Sequence, residues 1–201
     1  MAKHKKKLIF LAVTVVAAFY FFWPGFTPDL SAPPALYLKH SASYGTNTGA
    51  GNVVGIQPYM EPLDYATAER FEAKLSGYLD AAKAKGWLGD NTIVLLPEHI
   101  GTGLLAVHQK SRAYDTNGRQ DAMLTIISHN LPSFLKNLYI FDEQDAQTAA
   151  FIRTRTRAAA DAQLQVYSSL ARQYGITLVA GSGYMMTPGV YPDSLSYGHG
   201  P

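Results

Sequence analysis

The chain has 201 residues, 47% apolar, 16% charged and 12% aromatic, which excludes a disordered polypeptide and allows one domain with a real core. Its net charge of +2 comes from Lys3, Lys5, Lys6 and Lys7; the remaining 13 Lys and Arg face 15 acids, so no broadly basic surface for nucleic acid is indicated. No cysteine is present, which excludes disulfides and thiolate metal sites.

Residues 1–7 read as a basic cytoplasmic tail. The run 8–23 that follows is apolar and uncharged. Extended to Phe26, it reaches the low end of the about 17–25 residues that a spanning helix needs, although Pro24 and Gly25 weaken its last turn. The aromatic residues 19–23 suit a membrane interface. Residues 8–26 are therefore expected to form one transmembrane anchor. The positive-inside rule gives a single-pass protein of the cell membrane, with its N-terminus cytoplasmic and its domain extracytoplasmic. A cleaved signal peptide is the competing reading, but the bulky 19–23 stretch offers no small-residue cleavage site.

Residues 27–51 are rich in Pro, Gly, Ser and Thr and read as a linker. Residues 52–201 read as the domain. A first strand is expected over 53–59. A helix capped by Asp64 or Thr67 then runs to about Lys85, with Phe71, Leu75, Tyr78, Leu79 and Ala82 as its apolar stripe. Gly86 stops it. A second strand over 92–96 completes a β-α-β order, which implies parallel strands and a right-handed crossover. Met123, Ile126, Ile127, Leu131, Phe134, Leu135 and Leu138 imply two short helices broken near Pro132. Asp142, Glu143 and Asp145 suit the start of a long helix. It continues to Tyr174 and carries Arg153, Arg155 and Arg157 on a solvated surface. Gly175 ends it, and 176–180 is a third strand. The tail, 188–201, offers no closing element.

Glu98 is the candidate general base. It follows the buried strand and Pro97, at the strand end where α/β proteins build sites. A cap or an ion-pair partner is the plainer reading of such an acid. His99, His108, His129 and His199 have no i, i+4 pairing, and no metal or cofactor site is expected. His99 reads as a loop histidine with a local hydrogen bond. The glycines of 49–55 precede a strand rather than a helix, so they form no dinucleotide loop. Gly181-Ser182-Gly183 lacks the flanking glycines of a nucleophile elbow and reads as a tight strand exit.

Gly55-Ile56-Gln57, Pro97-Glu98 and the strand from Gly175 to Ser182 occur in an order that resembles the front part of the nitrilase superfamily, the carbon–nitrogen hydrolases. The resemblance covers roughly residues 52–98 and 165–185. It implies an α/β fold: a partial nitrilase-like α-β-β-α sandwich, here preceded by one transmembrane helix. It implies a Glu-Lys-Cys site in which Glu98 is the base, a Lys stabilises the tetrahedral intermediate and a Cys carries the acyl group as a thioester. This chain has no Cys and no Lys after Lys136. The expectation is thus the amino-terminal part of a membrane-anchored hydrolase, inactive as given. The complete protein would take an amide, nitrile or acyl substrate and could pair into homo-oligomers. The alternative is a non-catalytic single-pass membrane protein whose outer domain binds a partner.

Overall fold

The structure, a computed structural model, describes residues 11, 13–15, 18, 25–46, 48–116, 118–140, 144–184, 188–191 and 194–197, the last two segments as backbone. The elements are β1 (Asn52–Gly55), α1 (Ala68–Ala84), β2 (Thr92–Leu95), α2 (Arg119–His129), α3 (Leu131–Ile140), α4 (Ala146–Tyr174), β3 (Thr177–Val179), β4 (Pro188–Tyr191) and β5 (Ser194–Tyr197). The first three strands form a parallel sheet in the order β1-β2-β3. Gly55, Leu95 and Val179 stand side by side in its register.

Local chemistry sets the helix ends. Thr67, not Asp64, caps α1, its hydroxyl accepting from the Arg70 N–H at 3.1 Å. Gly86, just beyond α1, takes φ +70°, a left-handed turn that glycine adopts without a Cβ penalty. Asp145 caps α4 by accepting from the Thr148 N–H. Gly175 ends α4 with φ 63°. Asp142 and Glu143, also expected at this start, lie outside the described residues.

The core forms on one face of the sheet. Val54, Val94 and Leu96 join Phe71, Leu75 and Leu79 of α1 and Val166 and Leu170 of α4 in one cluster. Side chains alternate across a strand. Val53, Ile93, Leu95 and Val179 therefore point the other way, and all four are exposed.

The structure corrects the expected fold class. In place of an α-β-β-α sandwich it has a small three-stranded parallel sheet with α1 and α4 packed on its buried face. Among the described residues the second sheet is only the antiparallel hairpin β4-β5. That hairpin also corrects the reading of the tail, although residues 192–193 and 198–201 lie outside the described residues. The expected spanning helix is corrected too: among the described residues no helix is long and apolar enough to cross a membrane. Most of the segment 8–26 itself lies outside the described residues.

Two local expectations change as well. The described residues of 27–51 have neither helix nor strand, as their composition implies, but part of the stretch is docked rather than free. Arg70 donates to the Ala32 carbonyl at 2.6 Å, Lys74 to the Ala35 carbonyl at 2.5 Å, and Lys85 to the Ser41 hydroxyl at 2.6 Å. Leu36 packs so closely on Gly77 that a Cβ there would lie 2.6 Å from its Cδ1. Arg155 is buried, not solvated. Its Nε donates to the Leu105 carbonyl at 2.9 Å and its Nη2 to that of Val107 at 2.5 Å. A long helix shows every face to something, and alternate spacing alone does not say which face meets protein.

Candidate functional site

The parallel strands end together, and the chain leaves β2 and β3 side by side. Leu96, one residue past β2, donates its N–H to the Val179 carbonyl at 3.0 Å. Pro97 then breaks the ladder, because it has no N–H to give. Glu98, His99 and Ile100 make the turn that follows.

Ser182 ties this turn to the exit of β3. Its hydroxyl accepts from the His99 N–H at 2.9 Å, and its carbonyl accepts from the Gly101 N–H at 3.2 Å. His99 is held at φ 62°, a left-handed conformation uncommon for a non-glycine residue. Gly181 takes φ +70°, and a Cβ there would collide with the Pro97 carbonyl oxygen. The two exits can approach this closely only because position 181 has no side chain.

Glu98 projects from this braced turn with its side chain 79% exposed. Its neighbour is the His99 imidazole, at 3.6 Å between Nε2 and Oε1, and that side chain is exposed too. A contact of that length between exposed groups is too long for a hydrogen bond and adds little stability. Glu98 caps none of the helices given above. The plainer reading of this residue, a cap or structural ion pair, therefore finds no support in its surroundings.

Beneath the turn lie polar atoms that the sequence did not bring to notice. Gln163 of α4 is buried, and its Nε2 has no partner among the described residues. It is packed between the two exits: a Cβ on Gly101 would lie 2.5 Å from its Oε1, and one on Gly183 2.8 Å from its Nε2. The Thr102 hydroxyl and the Tyr167 hydroxyl are likewise buried without a partner. Burial, with the nearby Tyr65, raises the Tyr167 phenol well above its ordinary value. Burial, and then the Asp64 charge, pushes Tyr65 up to about 12. Both stay protonated at neutral pH. The glycines of Gly101 and Gly183 were visible in the sequence, but nothing there paired them with a glutamine more than sixty positions from the first of them.

The other histidines are not gathered here. His108 stands in the left-handed region with φ 59° and donates its N–H to the Ala66 carbonyl at 2.9 Å. His129 ends α2, and His199 lies outside the described residues. Among the described residues no group of His, Asp and Glu could hold a metal ion. A groove of about 780 Å³ lies elsewhere, between β1, α1 and residues 37–41. Geometry at the strand ends, rather than cavity size, singles out Glu98.

The three comparisons with known proteins add no relative: no family model, no curated protein and no solved structure matches this chain.

Proposed function

We propose that this chain carries the glutamate of a carbon–nitrogen hydrolase site, with Glu98 as the general base. One observation supports the reading above others. Glu98 is an exposed carboxylate on a turn braced by Ser182 and Gly181, at the carboxyl ends of parallel strands, and its contacts give it no evident structural duty. Rigid placement of a proton acceptor is what acid–base catalysis requires. The order of Gly55-Ile56-Gln57, Pro97-Glu98 and Gly181-Ser182 supports the same reading.

A base alone does not cleave an amide. The reaction class needs a thiol to attack the acyl carbon, with Glu98 taking the thiol proton and returning it to the leaving amine. It also needs a cation or N–H donors facing the oxyanion. The thiol must come from outside these 201 residues, which contain no cysteine. The substrate class is an amide, a nitrile or a transferable acyl group.

The test is reconstitution. The chain is expressed with whatever Lys- and Cys-bearing polypeptide the coding sequence after Pro201 or a neighbouring gene supplies. Turnover of a simple amide is expected, and Glu98→Gln should lower it by about 100-fold or more. Turnover that survives Glu98→Gln, or the lack of any such polypeptide, overturns the reading.

A further inference from the structure

The groove beside β1 has a backbone edge for one wall. Asn52 donates its N–H to the Asn91 carbonyl, and Ile56 donates to that of Leu95 at 3.0 Å. In a parallel ladder alternate residues face the same neighbour. The even-numbered residues of this stretch therefore face β2. Val53 and Gly55 turn their N–H and C=O groups the other way. Among the described residues no strand pairs with that side. Gln57, just beyond, makes no hydrogen bond among the described residues.

This edge is open where it borders the groove. Nothing lies within 4 Å of the place a Cβ would take on Gly55. Stretch 37–41 also lines the groove, as do Tyr78, Ala82 and Trp87. Stretch 37–41 has its own anchors: Lys85 donates to Ser41, and the Tyr78 hydroxyl accepts from the N–H of Tyr37 and from that of Tyr59, which closes the slot at its Tyr59 end. The slot runs from Val54 to Tyr59, about 3.3 Å for each extended residue. Its charged lining is Lys39 and Lys85 against the single acid Glu61, with His40 beside them.

The geometry points to a binding site for an extended peptide with acidic side chains, which adds to β1 as a new edge strand. Free backbone donors and acceptors select a peptide over an amphiphile, because only a strand answers both along the edge. The excess of cations selects an acidic one. Trp87 and Ile56 offer apolar contact to its alternate side chains. This assigns a use to Gly55-Ile56-Gln57 that does not depend on Glu98.

The full chain is titrated with the blocked peptide Ac-Thr-Glu-Val-Glu-Val-Thr-NH2, and Trp87 fluorescence is followed. A saturable change is expected, absent in Trp87→Phe. Hydrogen exchange should slow at the Gly55 and Gln57 amides, with the Ile56 amide, already bonded to Leu95, as the internal reference. The counterpart with Lys in place of Glu should bind more weakly, and Lys39→Glu should weaken the acidic peptide by about fivefold. Among the described residues Lys39 is exposed and has no hydrogen-bond or ion-pair partner, so that variant leaves the fold intact. No saturable change up to about 1 mM peptide overturns the proposal. So does saturation without slowed exchange at Gly55 and Gln57, or equal binding of the two peptides. Dodecanoate that saturates the signal where the peptide does not would mark an amphiphile pocket and overturn it as well.

Discussion

Lys74 Nζ lies 2.9 Å from Asp64 Oδ2, and neither side chain is exposed at all. The pair joins α1 to the turn that precedes it. Asp64 also accepts from the Glu61 N–H at 2.9 Å, and Lys74 also donates to the Ala35 carbonyl. Arg70 Nε faces the other Asp64 oxygen at 3.8 Å, so one buried carboxylate between two cations fixes the helix, its entry turn and the docked segment 32–41 together. Breaking a buried pair from one side strands the other charge, at a cost of about 3–5 kcal/mol. Asp64→Ala should lower the urea-unfolding free energy by that amount. Asp64→Leu combined with Lys74→Met should recover only part of it, since Arg70 is still left without its carboxylate. A single variant within about 1 kcal/mol of the parent would show that Lys74 reaches water.

The sequence made α1 legible as a helix, because Phe71, Leu75, Tyr78, Leu79 and Ala82 repeat at helical spacing and all are buried. It did not reveal Lys74 inside that same buried face, since a lysine at that spacing reads as solvent-facing. The parallel strands were legible from β-branched runs and the helix between them. The uncovered sheet face was not, because Ile93 and Leu95 look like core in any linear reading. Glu98 was found from Pro97 and the strand before it. Its bracing by Ser182 needed the structure, since 83 residues separate His99 from Ser182. Gln163 gave no signal, as a polar residue on a long helix is ordinary.

Gly181 and Gly175 have nearly the same backbone, φ +70° and φ +63°, in different surroundings. Nothing lies within 4 Å of a Cβ on Gly175, whereas one on Gly181 meets the Pro97 carbonyl. Gly175→Ala should cost about 1–2 kcal/mol, the penalty of left-handed backbone alone. Gly181→Ala should cost about 3 kcal/mol or more, since backbone must also move. Thermal melts of the two variants decide it. Equal losses would mean that the exits of β2 and β3 are not in contact.

His129 carries both ring nitrogens buried, with no partner among the described residues. Burial, then the Arg112 charge, holds its pKa below the ordinary 6.5. The unfolded chain protonates at the ordinary value, so just below 6.5 it binds more protons than the folded protein. Stability should therefore be full above that value and fall as pH drops through the window beneath it. His129→Gln should flatten this slope below about pH 6.5. An unchanged slope in the variant would place the titration on another group.

Glu98 should be silent for stability and for the isolated chain's chemistry. With its side chain 79% exposed and one long contact to His99, Glu98→Ala should shift the unfolding free energy by no more than about 0.5 kcal/mol. The 201-residue chain should show no turnover of simple amides, because no thiol is present to activate. Turnover that disappears in Glu98→Ala would demonstrate a water-activating mechanism instead. A loss of more than about 1 kcal/mol in that variant would reveal a structural role.

The uncovered sheet face should bind hydrophobic dye. Val53, Ile93, Leu95 and Val179 are 62%, 39%, 39% and 48% exposed, side by side in the register of three parallel strands. Parallel sheets ordinarily have both faces covered, and contiguous apolar surface of this kind promotes association. Thr is β-branched and keeps the strand preference while adding a hydroxyl. Ile93→Thr with Val179→Thr should therefore lower dye fluorescence and raise the fraction of monomer on gel filtration. The buried row of Val54, Val94 and Leu96 is untouched, so stability should change little. A dye signal that persists in the double variant and is displaced by the acidic peptide would place the dye in the groove beside β1. Val94→Thr serves as the contrast: it leaves the exposed face intact and puts an unpaired hydroxyl into the core. It should therefore destabilise the fold by about 1–3 kcal/mol without lowering the dye signal.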